Sequence, residues 1–221
     1  MTNEGIVLSA HSLLCYCGWK YLTEGEPMSQ QSTNPILLTI PEQFESNRLV
    51  IRAPQWGDGA AVNEAVIESI EELRQWLPFA QTIPTLEESE IVTRQGRLRF
   101  LDRSDLRLLI FHKETGKLIG SSGLHRIDWE ARKFEIGYWL HSAYTKQGYM
   151  TEAVEAITQF AIQQLEANRI EIRCDRNNER SAAVARRAGF TFEGILRKET
   201  TDWNRQLRDT MVFAKVRGFE F

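Results

Sequence analysis

The chain has 221 residues, 42% hydrophobic and 26% charged, a balance that excludes a disordered or membrane-embedded protein and suits one globular domain with a short appendage. With 27 basic against 30 acidic residues, the net charge of -3 offers no global attraction to nucleic acid or an anionic membrane, and neither is expected as a partner. Three cysteines (Cys15, Cys17, Cys174) and four scattered histidines make neither a disulfide framework nor a metal-ligand spacing, so no metal is expected.

In chain order, the run GIVLSAHSLLCYCGW resembles a signal h-region, but the preceding MTNE carries an acid and no basic residue. The run is also shorter than the roughly 20 residues that cross a bilayer. Residues 1–27 therefore read as a loosely attached extension, with Met28 as an alternative start, and a cytoplasmic location is expected. Residues 29–45, polar with Pro35 and Pro41, read as a tether, so 1–44 form a flexible extension and 45–221 the domain.

NRLVIRAP alternates as a strand, and helical spacing takes over from Asp58 to Trp76, with Val62, Ala65, Val66, Ile70 and Leu73 on one stripe. Pro78 and Pro84 interrupt the chain, and Thr85 with Glu88 three residues on has the spacing of a capping box for the next helix. LRLLIFHKETGKLIGSSGLHRI is a hairpin about Gly116. KFEIGYWL adds a third strand, Phe134, Ile136, Tyr138 and Leu140 on one face, Glu135, Gly137 and Trp139 on the other. A helix from Gly148 places Met150, Ala153, Val154, Ile157, Ala161 and Leu165 together; a strand RIEIRC, a helix capped by Asn178 and closed at Gly189, and two last strands follow.

At TKQGYMTEA a strand hands over to a helix, whose unpaired N–H groups and positive dipole end suit a phosphate; Gly148 would let the backbone come close to it. A plain turn glycine is the other reading. GK[ST] and GxGxxG are both missing, which removes the Walker and dinucleotide loops. Six arginines from Arg169 to Arg187 are interleaved with Glu171, Asp175 and Glu179, the pattern of an ion-paired face.

FEIGYWL, GYMTEA, the NxxS of Asn178 to Ser181, and AGFTFEG, in this order from about Glu45 to Val216, resemble the GNAT acetyltransferases, and most of all their ribosomal-protein N-acetyltransferase branch. NRLVIRAP and RQWLPFA fit the same branch. The resemblance implies an α/β (α+β) fold with a central mixed, mostly antiparallel sheet flanked by helices. It also implies direct transfer of acetyl from acetyl-CoA to an amine, most of all a protein N-terminal α-amino group. A small-molecule amine such as an antibiotic or polyamine, and a non-catalytic CoA-binding module, are the alternatives. On this resemblance Tyr138, Trp139, Leu140, Lys146, Gln147, Gly148, Tyr149, Met150, Thr151 and Asn178 hold the cofactor, and Trp76 lines the acceptor cleft. Glu135 takes a proton from the attacking amine, which must be neutral to attack, and Ser181 protonates the departing thiolate. The family often has a tyrosine four residues after that serine; here Ala185 stands there, and a bulky Met150 stands where the helix should approach the cofactor. Glu135 as a paired strand residue, and Asn178 and Ser181 as a helix cap, are the structural readings of the same residues. Monomer and homodimer are both compatible with the chain.

Overall fold

The computed structural model describes residues 34–202 and 204–221, and the expectations for residues 1–33 lie outside that range. One mixed, mostly antiparallel sheet holds eight strands: β1 (Gln43–Glu45), β2 (Leu49–Arg52), β3 (Leu106–His112), β4 (Leu118–Asp128), β5 (Lys133–Leu140), β6 (Arg169–Asp175), β7 (Thr191–Thr201) and β8 (Leu207–Val216). Their spatial order is β1-β2-β3-β4-β5-β6-β8-β7. Among the described residues five α-helices flank it: α1 (Gly59–Ile67), α2 (Ile70–Arg74), α3 (Leu86–Asp102), α4 (Tyr149–Gln164) and α5 (Glu179–Arg187). No helix among the described residues is long and apolar enough to cross a membrane.

The alternation of β5 builds a core on each face of the sheet. Phe134 and Ile136 are buried beneath α4, where Met150, Ala153, Val154, Ile157, Ala161 and Leu165 form the expected apolar face. Trp139 points the other way, into a second cluster with Val62, Val66, Leu73, Leu109 and Leu118 under α1 and α2. Burying each such large side chain contributes roughly 1.5–3 kcal/mol, and a one-residue slip of β5 would turn Glu135 and Gly137 into the α4 core, so register is strongly held. The Thr85 capping box forms at the start of α3: the Glu88 N–H donates to Thr85 Oγ1 (3.1 Å) and the Thr85 N–H to Glu88 Oε2 (2.8 Å).

Two boundaries differ from the sequence reading. The helix expected over 58–76 is two helices, broken at Glu68 and Ser69, because Ser69 Oγ accepts the Ser142 N–H (2.9 Å) and the Glu68 carboxylate meets His141 Nε2 (2.8 Å). Both partners lie on the loop leading from β5 to α4. Packing also reaches back before Glu45: Ile40 is buried, Phe44 stacks on Phe160 with centroids 4.5 Å apart, and Glu42 pairs with Arg97. Within the stretch 34–44, Leu38, Ile40 and Phe44 are therefore packed on the domain core, while Ile36 and Leu37 stay exposed.

The feature that positions the site is the β5–β6 pair, the one parallel neighbour pair in the sheet. It is bonded only at Lys133↔Arg169, Phe134↔Ile170 and Glu135↔Glu171. Beyond Glu135 the strands part, leaving the edge of Ile136–Leu140 without β6 as a partner.

Candidate active site

At the wide end of this splay the chain turns into α4. Lys146 (φ 61°) and Gly148 (φ 81°) are both left-handed, and no side chain caps the first turn of α4. Its N–H groups are thus free to meet an anion. Met150 does not obstruct them, because its side chain is buried in the core below the helix. Arg48, from β2's approach, lies across the turn: Nη1 donates to the Gln147 carbonyl (3.1 Å), Nε to Glu152 Oε2 (2.7 Å), and the guanidinium sits 4.2 Å over the Tyr149 ring. Burial works against the charge of Glu152, but the Arg48 N–H, the Ser46 hydroxyl and the Arg48 guanidinium together hold its carboxyl below the usual range. Arg187 Nε donates to Thr151 Oγ1 (3.2 Å), bringing a second guanidinium to the first turn.

Across the splay, Asn178 caps α5 by accepting the Ser181 N–H (3.0 Å). Ser181 Oγ donates to the Tyr138 hydroxyl (3.0 Å), and that hydroxyl donates to the Ser181 carbonyl (2.9 Å). Burial raises the Tyr138 phenol well above its ordinary range. Cys174 is buried beside Ser181, and burial pushes its thiol up to about 11, so it stays a neutral thiol near pH 7. The structure therefore brings Ser181, Tyr138 and Asn178 together. Trp139 takes no part through its side chain, which lies in the second core, and Leu140 is half-buried.

Glu135 lies on the opposite face of β5, at the vertex of the splay. Its carboxylate is 3.4 Å from Arg126 Nη1 and 3.6 Å from Arg173 Nε. Burial raises its pKa; the two arginines draw it back and Glu171 adds to the rise. Glu135 is thus an ion-paired strand residue, as the structural reading has it, with a carboxyl that burial makes harder to ionise. Along the same face of β6 and beneath α2, a cavity of about 200 Å³ is lined by Gln75, Trp76, Asp175, Asn177, Asp202 and Arg208, among others. Of the arginine cluster, Arg169, Arg173, Arg176 and Arg186 form the expected ion pairs, with Glu193, Glu171, Asp209 and Glu179.

The GNAT acetyltransferase domain model matches residues 48–191, the span from β2 through the turn, the splay and α5. The chain belongs to the GNAT acetyltransferase family. Among GNAT relatives, the ribosomal-protein-serine acetyltransferase of Escherichia coli (strain K12) is 32% identical over 146 residues, 65% of this chain and 80% of that protein. An uncharacterized N-acetyltransferase, YoaA of Bacillus subtilis (strain 168), is 26% identical over 187 residues, 80% and 98% of the two chains. A solved structure of RimL, a ribosomal L7/L12 α-N-protein acetyltransferase in complex with coenzyme A, superposes with a TM-score of 0.72 at 26% identity, covering 80% of this chain and 97% of that one.

As a GNAT enzyme the chain is an acetyl-CoA-dependent N-acetyltransferase. Acetyl-CoA supplies the acetyl group as a thioester, and the groups present fit it: uncapped N–H donors and Arg48 for a pyrophosphate, and an unpaired strand edge for the amides of its long arm. Among the described residues no group of three or more His, Cys, Asp or Glu side chains could hold a metal ion. Sequence reasoning missed Arg48, which is about a hundred residues from the turn it braces, and the contact of Tyr138 with Ser181, which only the meeting of β5 and α5 creates. It also passed over His125, which faces Glu135 across β4 and β5.

Proposed function

We propose that this GNAT enzyme acetylates the α-amino group at the N-terminus of a protein, of the kind found in ribosomes, in the cytoplasm. The observation that carries the reading is the placement of Glu135 at the vertex of the splay, on the same sheet face as the cavity lined by Trp76. An acceptor entering there meets Asp202, together with Asp175 paired to Arg208 at 3.6 Å, in a small space suited to the end of a chain. The similarity to a ribosomal-protein-serine acetyltransferase supports the choice of acceptor.

In this reading the backbone from Lys146 to Thr151, with Gln147, Gly148, Tyr149 and Met150 between them, holds the phosphates, braced by Arg48. The edge of Tyr138, Trp139 and Leu140 holds the arm, with Asn178 opposite. Glu135 receives the proton that the amine nitrogen gives up as it bonds to the acetyl carbon, and burial suits it to the task by strengthening the carboxylate as a base. Ser181 gives its hydroxyl proton to the sulfur as the carbon–sulfur bond breaks. The neutral Cys174 argues for direct transfer, since a protonated thiol is a poor nucleophile.

The test is acetylation of a peptide carrying a free α-amino group and an internal lysine, read by free-thiol release and peptide mapping. The acetyl group is expected on the α-amino nitrogen. Transfer to small amines alone would replace the acceptor with a small molecule, and CoA binding without thiol release toward any amine would make the protein a binding module.

A further inference from the structure

We propose that Asp105 and His125 form a second proton-accepting site on the acceptor face, in which His125 Nε2 removes the proton that an incoming ammonium must lose before it can attack. The inference rests on the acceptor being an amine, as in the function proposed above, whichever molecule carries it.

His125 on β4 is directly opposite Glu135 on β5. Its ring lies over Gly137: a Cβ there would come within 3.1 Å of Cδ2 and 3.4 Å of Nε2, so a side chain at this position would press the imidazole out of its seat by a few tenths of an ångström. Nδ1 is 2.6 Å from Asp105 Oδ2. An ionised carboxylate can only accept, so Nδ1 carries a hydrogen; in the neutral imidazole the lone pair is then on Nε2, which has no hydrogen bond to any described residue. A histidine oriented by a carboxylate, with its other nitrogen free, is the arrangement in which imidazole serves as a base.

The proton balance calls for such a group. An ammonium and an acetyl thioester become an amide and a free thiol with one proton left over. Nitrogen therefore gives up two protons: one before attack, and one as the carbon–nitrogen bond forms and the carbon–sulfur bond breaks. The sulfur takes a proton from Ser181, which regains one from water; His125 and Glu135 each release the proton they took to water, so one net proton is left in solution. Glu135 has only 17% of its side chain exposed and is flanked by Arg126 and Arg173; His125 is 32% exposed and suits exchange with solvent. Other charges facing the imidazole from packed elements are Asp105 and Arg107, at the start of β3, Arg126 beside it on β4, and Glu135 on β5.

The experiment compares the full chain with His125→Asn, Asp105→Asn and Glu135→Gln, using acetyl-CoA and an amine acceptor that the wild type acetylates. For His125→Asn, kcat/KM should fall about 10²-fold or more at neutral pH, recover as pH rises and the acceptor loses its proton in solution, and be restored in part by added imidazole. CoA affinity should be unchanged by calorimetry. Asp105→Asn should shift the acid limb of the pH profile, because the imidazole loses the carboxylate charge beside Nδ1. For Glu135→Gln the deficit should persist at high pH. Near-native turnover of His125→Asn at neutral pH overturns the proposal, as does a loss equal at all pH without imidazole rescue. If His125→Asn does not fold, an unshifted profile in Asp105→Asn overturns it. A wrong choice of acceptor would show separately, as a wild type active on small amines but not on peptides.

Discussion

Gly148→Val tests the phosphate turn through one atom of known surroundings. Gly148 sits at φ 81°, and a left-handed conformation costs a side-chain-bearing residue about 1–2 kcal/mol. The protein itself leaves room, since an added Cβ meets only Arg48 Nη2 at 3.5 Å, ordinary contact. The effect should therefore divide in two: backbone strain, felt with or without ligand, and obstruction or reshaping of the anion seat, felt only on binding. We expect CoA affinity to fall at least tenfold, about 1.4 kcal/mol. Isothermal titration of CoA reads it directly. Gly218→Val is the control, because Gly218 has φ 83° and open space around its Cβ position just after β8, where the neighbouring Arg217 bonds the Ala167 carbonyl beyond the far end of α4. It should show a comparable loss of melting temperature, roughly 2–8 °C, with unchanged CoA affinity. Unchanged affinity in Gly148→Val, or an equal loss in Gly218→Val, would refute the reasoning.

Glu135→Gln should lower kcat/KM about 10²–10⁴-fold with CoA affinity unchanged, measured by thiol release. Because burial raises the Glu135 pKa, and the residue acts as a base only when ionised, the acid limb of the wild-type profile that depends on it should lie above the ordinary carboxylate range; a limb at or below that range would contradict the role. Ser181→Ala should depress kcat without a matching rise in the acetyl-CoA KM, and a pure KM effect would reassign Ser181 to binding. Glu152→Gln should cost about 1–2 kcal/mol at neutral pH, a modest figure because Arg48 is 38% exposed. The Glu152 carboxyl is held low, so its contribution is present above the ordinary carboxylate range and lost as pH falls through the depressed value; melting curves of wild type and variant should converge in acid.

The elements that the sequence made legible are those whose signals are local. Period-two alternation placed Phe134 and Ile136 against Glu135 and Gly137, and the α4 stripe from Met150 to Leu165 is buried as expected, because each pattern spans a whole element. What escaped has distant causes. The apolar stripe of Val66, Ile70 and Leu73 continues through the break at Ser69, whose reason is a hydrogen bond to Ser142. Phe44 looked like part of a tether because its partner, Phe160, is on α4. Met150 looked obstructive at the turn only until the helix phase directed it into the core. Arg48 carried no mark of its place beside Gly148, and the Tyr138–Ser181 contact depends on how far β5 and β6 diverge.

The central claim, transfer of acetyl to a protein N-terminus, is tested most directly by incubating the enzyme with labelled acetyl-CoA and a ribosomal-protein fraction and identifying the modified chain by mass spectrometry. The account predicts label on one or a few proteins, at the N-terminal α-amino group, dependent on Glu135. Label confined to lysine side chains, or thiol release with no labelled protein, would contradict it.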